Sequence, residues 1–238
     1  MAGGYYTALS GMQARQEALD RIASDIANAS TTGYKTERAT TRQADRPSFG
    51  QALQSAVDVV NSETQLDMRA GSIASTGRSM DLSLEGDGFF VVETAQGTRY
   101  TRNGHLLRNS EGVLTNDAGD VVQGTAGPIK VGPGQIDVDP DGTVKSNGAS
   151  VGTLKVVAFA ADAKLEREGG SRFRTAATPE VVAQPLVRSG TLEQSNVSVM
   201  ERIAEMTEVS RSFASLMRAI TVLVNDVDKG AISELGRR

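Results

Sequence analysis

Apolar residues recur at helical spacing near the start of the chain. Alternating steps of four and three residues reach a largely apolar series: Tyr5, Leu9, Met12, Gln16, Leu19, Ala23 and Ile26, with Ile22 beside it. This pattern predicts an amphipathic helix with the heptad spacing of a coiled coil. The rhythm stops at IANASTTGYK, where Gly33 predicts the helix end. The residues nearby in sequence offer no apolar partner for this helix.

The same spacing returns near the other end of the chain. Steps of four and three residues from Val199 reach nine positions, eight of them apolar: Val199, Ile203, Met206, Ser210, Phe213, Met217, Ile220, Val224 and Val227. A register kept this long predicts a helix that begins near Asn196. We interpret this helix as the partner of the first one.

The region between the two helical patterns has the sequence features of a β domain. FFVV (89–92) and TLKVVAFA (153–160) resemble strands. Turn-forming pairs recur between them, and Asn-Gly and Asp-Gly accept the positive φ that tight hairpin turns require. The turn candidates are Gly86-Asp87-Gly88, Asn103-Gly104, Glu111-Gly112, Asp141-Gly142 and Asn147-Gly148.

The predicted fold is therefore mixed: N- and C-terminal α-helices paired as a coiled-coil stalk, with an inserted all-β domain. We assign residues 1–34 and 195–238 to a discontinuous helical domain, 35–80 to an extended or irregular connecting segment, and 81–194 to the β domain. Within the connecting segment, QALQSAVDVV (51–60) is a candidate short helix. We call the apolar positions of the two series, through which the terminal helices are expected to pair with each other and with neighbouring copies, the assembly seam: Leu9, Met12, Leu19, Ile22, Ile26, Val199, Ile203, Met206, Phe213, Met217, Ile220, Val224 and Val227.

Composition excludes several kinds of function. The formal net charge is −4, so the chain lacks the basic surface that nucleic acids or anionic membranes attract. Without cysteine it has no disulfide, thiolate nucleophile or cysteine metal site, and a single histidine, His105, excludes a histidine-rich metal cage. We expect no metal and no cofactor.

Targeting signals are equally sparse. The apolar run ITVLV (220–224) is far too short to span a bilayer, so we expect no membrane insertion. The start, MAGGYYTALSGMQAR, has no basic residue before Arg15 and no long apolar core, unlike a secretory signal. The protein is expected either to stay in the cytoplasm or to be exported by dedicated machinery without a cleaved peptide.

One catalytic motif is matched by letters alone. GASVG (148–152) fits the G-x-S-x-G pattern of a hydrolase nucleophile, with Ser150 as the serine. That motif needs a strand before the serine and a helix after it. Here a turn precedes Ser150 and a strand-like run follows, and His105 precedes the serine in the chain although the hydrolase order places it last. We interpret the match as coincidence.

A second motif resembles the start of a calcium loop. Asp137, Asp139 and Asp141 alternate before Gly142, but the loop's closing glutamate is replaced by Gly148. A strand end followed by an Asp-Gly hairpin turn is the favoured interpretation.

Several longer segments resemble the bacterial flagellar rod and hook protein family. They are ALSGMQARQEALDRIASDIANASTTGYK, GSIASTGRSMDLSLEGDGFFVV, YTRNGHLLRNSEGVL, LEQSNV and DKGAISELGR, which span nearly the whole chain in the family's order. The residues that match the family's two helix-flanking motifs are Ala27, Asn28, Thr31, Thr32, Gly33, Tyr34 and Lys35, and Leu192, Glu193, Ser195, Asn196 and Val197.

The resemblance implies a structural, non-enzymatic subunit of the periplasmic flagellar rod. Terminal helices of many copies would form an inner tube that transmits torque and lines the export channel, with β domains outside. Its implied partners are other copies of itself, other rod proteins and the flagellar type III export apparatus. The short segment between Lys35 and Gly71 is most similar to proximal rod members, with distal rod or hook-family members as the alternative.

Two alternatives of other classes remain open on the sequence. One is an exported β-domain hydrolase that uses Ser150 and His105. The other is a soluble binding module that dimerises through a conventional coiled coil.

Overall fold

The computed structural model describes residues 2–40, 63–160 and 163–235. The helix predicted at residues 51–60 lies outside them. The chain divides into two compact units. The first contains residues 1–27, 37–64 and 198–238, and the second contains residues 28–36 and 65–197. This division groups residues 28–36 and 65–80 with the β-rich unit, whereas the domain limits predicted from sequence leave them outside it.

Two long helices dominate the first unit, as the heptad patterns predict. Helix α1 is Ala2–Ala27, and helix α2 is Val199–Leu235. Across the part of the chain that the structure describes, we find no helix with the length and apolarity that crossing a membrane requires.

The two helices contact each other along matched, antiparallel positions. A Cβ atom on Gly11 would lie 3.7 Å from Leu216 Cδ1. Four residues further along α1, Arg15 Nε donates to Ser212 Oγ at 3.3 Å. Ten residues further again, Asp25 Oδ2 lies 3.7 Å from Arg202 Nε. Each step forward in α1 equals the step backward in α2, so one register persists over about four helical turns.

The β-rich unit confirms the predicted insertion between the helices, while the supercoiling of a coiled coil stays a prediction. Its strands are short and joined by tight turns.

The strands of the chain are numbered in sequence order, and the first two pair with each other. They are β1 (Glu37–Thr40), β2 (Glu63–Leu66), β3 (Ile73–Ser75), β4 (Leu82–Glu85), β5 (Phe89–Thr94), β6 (Gly97–Thr101), β7 (Leu106–Arg108), β8 (Leu114–Asn116), β9 (Val121–Gly124), β10 (Gly127–Pro128), β11 (Ile136–Val138), β12 (Thr143–Ser146), β13 (Ala149–Thr153), β14 (Val156–Ala158), β15 (Glu166–Arg167), β16 (Arg172–Arg174), β17 (Glu180–Val181), β18 (Leu186–Ser189) and β19 (Thr191–Glu193).

Strand β5 forms the centre of the largest sheet. It pairs antiparallel with β6, β9 and β14. Because successive side chains of a strand point to opposite faces, Phe90 and Val92 join one buried apolar cluster while Phe89 and Val91 join another. Burial on both faces explains why FFVV is a continuous apolar run.

A three-stranded meander of β11, β12 and β13 follows the predicted turn chemistry. Asn147 and Gly148 have φ of 51° and 83°, the left-handed values of a tight hairpin turn between β12 and β13. Gly142, with φ of 82°, connects β11 to β12. The aspartate-rich segment 137–142 is therefore a strand end and a hairpin turn, which confirms that interpretation over a calcium loop.

The hairpin predicted at Asn103-Gly104 is wrong. Neither residue has a positive φ, and the flanking strands pair elsewhere, β6 with β5 and β16, and β7 with β8. Glycine is required there because a Cβ on Gly104 would lie 1.9 Å from the carbonyl oxygen of Leu82. The residue marks a close backbone approach.

Two small strand pairs bring the late part of the chain back to its early part. β18 pairs with β4, and β19 pairs with β3, with Glu193 opposite Ile73. This second pairing places the LEQSNV segment beside residues 71–75, where the site described next is built.

Candidate functional site

The two helix-flanking motifs meet within the β-rich unit. Gly33 N donates to Glu193 O at 2.8 Å, and Asn196 N donates to Tyr34 O at 3.4 Å. Thr36 N donates to the Asn196 side-chain oxygen at 2.8 Å. The segment that follows α1 is therefore bonded directly to the segment that precedes α2.

A buried carboxylate lies at the centre of this meeting point. Glu193 Oε1 is 2.6 Å from Lys35 Nζ, and its other oxygen is 3.3 Å from Arg102 Nη1. The side chains of Lys35, Glu193 and Arg102 are 0%, 1% and 4% exposed. We call these three residues the junction cluster. Gly71 N adds a further hydrogen bond to Glu193 Oε1 at 3.1 Å.

The electrostatics of the junction cluster are unusual because two cations share one carboxylate. Burial lowers the pKa of Lys35, the hydrogen bond and charge of Glu193 oppose this, and the charge of Arg102 reinforces it. Burial likewise lowers the pKa of Arg102, against the charge of Glu193. The Glu193 carboxylate therefore offsets the cost of burying both cations.

Both cations make further contacts. Lys35 Nζ donates to Arg69 O at 2.8 Å, and Arg102 Nη2 donates to Gly86 O at 2.8 Å. The Arg102 guanidinium lies 5.3 Å from the centre of the Phe89 ring. These contacts fix the cluster to the strands around it.

Tyr34 is clamped by an arginine from β15. Arg167 stacks over its ring at 4.2 Å, while Arg167 Nη1 donates to the Tyr34 hydroxyl at 2.6 Å and Nη2 donates to Lys35 O at 2.7 Å. Tyr34 is 1% exposed. A phenol with a polar end suits this buried position because the hydroxyl accepts the arginine's hydrogen bond.

Asn196 joins three backbone segments through its side chain. Besides accepting from Thr36 N, its amide donates to Asp67 O at 2.7 Å and to Arg69 O at 3.1 Å. An amide can do this because it is both donor and acceptor.

Gly33 is required by space as well as by conformation. Its φ is 69°, and a Cβ there would lie 2.4 Å from Asn103 N. Helix α1 ends six residues before it, at Ala27, and Asn28 and Thr31 form the intervening turn through a backbone bond of 3.0 Å. Gly33 thus shapes the chain's path into the site, downstream of the helix end.

The other motif residues have smaller roles. Thr32 is half-buried, Leu192 is buried, and the Ser195 hydroxyl accepts from Val197 N at 3.3 Å. Sequence reasoning named the motif residues only through the family resemblance and missed five that bind them: Asp67, Arg69, Gly71, Arg102 and Arg167. Arg102 stands within the YTRNG segment that resembles the family, which was the available signal.

Five members of the assembly seam are exposed in the single chain, and the other described members are half-buried or buried. Val199, Ile203, Met206 and Met217 of α2 are 39%, 49%, 36% and 46% exposed, and Leu9 of α1 is 42% exposed. The half-buried members are Met12, Leu19, Ile26, Phe213 and Ile220, and Ile22 is buried. The side chains of Val224 and Val227 lie outside the described residues.

An apolar groove runs along the same side of α2. It has a volume of about 440 Å³ and is lined by Ile203, Met206, Thr207, Ser210, Arg211 and Ala214. Arg202, Ser212 and Leu216 of α2, which contact α1, do not line this groove. Pairing with α1 therefore leaves this groove uncovered.

The two candidate catalytic residues do not form hydrolase geometry. Ser150 is exposed within β13, opposite Lys145, and is followed by strand β14 where the elbow motif needs a helix. His105 Nδ1 lies 2.8 Å from Asp81 Oδ1, and Arg78 Nη1 lies 3.4 Å from its Nε2. Ser150 lies on strand β13 and not on a strand-to-helix turn, as the interpretation of GASVG as a coincidental match predicts.

Three family profiles match the chain in order. Residues 6–35 match "Flagella basal body rod protein", residues 83–146 match "Flagellar hook protein FlgE/F/G D1 domain", and residues 188–223 match "Flagellar basal body rod FlgEFG protein C-terminal". The first and third include all residues of the two motifs that meet at the junction cluster.

Relatives match over nearly their full length. The flagellar basal-body rod protein FlgF of Caulobacter vibrioides is 30% identical over 100% of this chain and 99% of its own. FlgF of Salmonella typhimurium is 32% identical over 97% and 96%. The flagellar basal-body rod protein FlgG of Bacillus subtilis is 31% identical over 93% and 95%.

Together with its long terminal helices and β-rich insertion, these matches identify the chain as a structural protein of the flagellar basal-body rod class. The chain belongs to the flagellar basal-body rod protein family, and its similarity is of the FlgF kind. The expected family assignment is confirmed.

Proposed function

We propose that this chain is a proximal rod subunit that assembles through α1 and α2 into a hollow helical tube. The tube transmits torque through the periplasm and lines the export channel, with the β-rich units as its outer layer. Other copies of the chain and other rod proteins are its partners. The flagellar type III apparatus exports it.

The apolar exposure of α2 is the observation that carries this proposal. Val199, Ile203, Met206 and Met217 are each more than a third exposed, although α1 already covers another side of the helix. Complete burial of one such side chain contributes about 1.5–3 kcal/mol. The same stripe repeated in every copy supplies a strong drive for association.

The kind of contact determines the product. If the exposed stripe of one copy packs on a different surface of the next, the contact is heterologous, and a rotation that does not close a ring produces a helical filament. A conventional two-fold dimer through the same stripe would bury the stripe in both copies, and no further copies would add. The binding-module alternative predicts this outcome.

A distal rod role is the second candidate. It is favoured by the match to FlgG of Bacillus subtilis, whose identity of 31% is close to that of the FlgF relatives. The two roles differ in the neighbours that the subunit contacts, so they are separated by locating the subunit along an intact rod.

The assembly role is tested by one charged substitution in the groove. Ile203→Asp should leave the exported monomer folded, because Ile203 is 49% exposed, but it should prevent incorporation into the rod and abolish swimming. Val222→Asp is the matched control, since Val222 is also exposed on α2 but is not part of the assembly seam. Export is measured separately, as protein released into the medium.

Normal rods and swimming with Ile203→Asp would refute the proposed use of this stripe. A stable dimer in sedimentation, formed by the parent chain and lost in Ile203→Asp, would favour the binding module.

A further inference from the structure

The junction cluster joins parts of the chain that are far apart in sequence. Lys35 and Glu193 are separated by 158 positions, and Arg102 and Glu193 by 91. All three side chains are almost fully buried, and the carboxylate carries bonds to both cations and to Gly71 N. Such a cluster forms when three distant segments have come together.

Stability alone is a poor explanation for this chemistry. Removing charges from water is costly, and well-packed apolar side chains of similar size often stabilise a core as well as a buried ion pair does. In some proteins a buried ion pair adds a requirement for one arrangement, because any other leaves a charge unpaired. The cluster thus selects the register in which the two motif segments meet.

The junction cluster lies at nearly the same distance along the chain from both members of the Asp25–Arg202 helix contact. Gly33, whose N donates to Glu193 O, stands eight residues after Asp25, and Glu193 stands nine residues before Arg202. The two segments between the helix contact and the junction contact are therefore of nearly equal length. An antiparallel pair of helices needs this equality if its two arms are to start level with each other.

We infer that the junction cluster is a latch that holds the end of α1 and the start of α2 side by side, so that the two helices meet as the arms of a hairpin. Arg15 and Ser212, which contact each other across the helix pair, are 197 positions apart in sequence. Closing so long a loop anew has an entropic cost, which the latch removes from the pairing step. The helices then pair at a high effective concentration.

Asn196 completes the latch. Its side chain bonds Thr36 N, directly after one motif, and the carbonyl oxygens of residues 67 and 69. These bonds hold the backbone on both sides of the Lys35–Glu193 pair. The latch is independent of rod assembly, because all its members belong to one chain.

The latch is tested by the rate of cross-linking between α1 and α2 in dilute monomer. The chain has no cysteine, so Arg15→Cys and Ser212→Cys supply a unique thiol pair in the full-length protein. A short bis-maleimide reagent then reports how often the two helices meet. Adding Lys35→Met should slow intramolecular cross-linking by about tenfold, because the effective concentration of the two thiols falls.

The control is Glu166→Gln in the same cysteine background. It also removes a salt bridge, to Arg174, but both of those side chains are more than half exposed. Its cross-linking rate should match that of the parent, and near-ultraviolet circular dichroism should show a folded β-rich unit in both variants.

Two results would overturn the latch. One is a Lys35→Met rate within about twofold of the parent while the β-rich unit stays folded, because effective concentration would then be unchanged. The other is unfolding of the β-rich unit by Lys35→Met, which would make Lys35 an ordinary core residue. Failure to build rods has no bearing on either measurement.

Discussion

Lys35 Nζ lies 2.6 Å from Glu193 Oε1, and neither side chain is more than 1% exposed. The lysine closes the motif that follows α1, and the glutamate belongs to the motif that precedes α2. Because Arg102 binds the same carboxylate, the loss of one negative charge would leave two buried positive charges facing each other. This relationship makes Glu193 a sensitive position in the β-rich unit.

We predict that Glu193→Gln lowers the free energy of unfolding of the β-rich unit by about 3–5 kcal/mol, the usual cost of leaving a buried charge without its partner. Urea unfolding of the full chain, followed by tyrosine fluorescence, measures the change. Glu166→Gln, which removes an exposed salt bridge, should leave the urea midpoint unchanged. Equal effects of the two substitutions would show that burial of the junction cluster contributes nothing.

The lowered pKa of Lys35 predicts a specific pH dependence. Burial is the largest cause, so the folded chain releases this proton at a lower pH than the unfolded chain, whose ordinary value is 10.5. Between those two pKa values the unfolded state binds more protons, and stability therefore rises with pH. Wild type should gain stability relative to Lys35→Met as pH increases toward 10.5.

That comparison uses the difference between the two proteins, because the titrating groups outside the junction cluster are common to both and cancel. Urea unfolding at a series of alkaline pH values provides it. A steady loss of wild-type stability relative to Lys35→Met would mean that attraction to Glu193 outweighs burial and that the pKa of Lys35 is raised.

A pair of glycines separates close approach from backbone strain. Gly33 and Gly77 have φ of 69° and 73°, but a Cβ on Gly33 would lie 2.4 Å from Asn103 N, while nothing lies within 4 Å of one on Gly77. Gly77→Ala should cost about 1–2 kcal/mol from the left-handed conformation alone. Gly33→Ala should cost about 1–3 kcal/mol more, because the backbone must shift to admit the methyl group.

Thermal unfolding of the two alanine variants gives the comparison. Closely similar losses of stability would indicate that the 31–34 turn moves away from Asn103 without cost. The junction would then be looser than the contacts at Gly33 suggest.

The helix pair predicts an opposite effect at Gly11. A Cβ there would meet Leu216 Cδ1 at 3.7 Å, which is ordinary van der Waals contact. Gly11→Ala should therefore stabilise the helices by up to about 1 kcal/mol, since alanine has the higher helix propensity. Gly11→Phe should force α1 and α2 apart.

Circular dichroism at the helical minimum, recorded during heating, distinguishes the two variants. If alanine raises the thermal stability of the helices and phenylalanine lowers it, the contact between Gly11 and Leu216 is supported. If phenylalanine were tolerated as well as alanine, Gly11 and Leu216 would not face each other in solution.

Periodicity in the sequence was sufficient to predict both helices and the β-rich insertion, because heptad spacing and turn pairs are local signals. Asn147-Gly148 forms the expected hairpin turn. Asn103-Gly104 does not form a hairpin turn. Its glycine is required because the backbone of Leu82 passes too close for a side chain, and no local sequence pattern indicates that contact. Local sequence patterns thus predict secondary-structure elements, but they fail where a backbone segment distant in sequence determines the role of a residue.

The junction cluster shows the same limit. Family resemblance singled out Lys35 and Glu193, but their pairing spans 158 positions, and Arg102 was missed although it lies in a recognisable segment. A buried charge is stabilised by whichever opposite charge the fold brings near. One sequence gives the candidates for such a pair and leaves the pairing undetermined.

An image of the assembled basal body, at a resolution that traces side chains, tests the central claim most directly. We predict that helices of neighbouring subunits cover Ile203, Met206 and Met217 of α2 in the rod wall. Density that leaves these three residues facing solvent, with the subunits joined through their β-rich units alone, would contradict it.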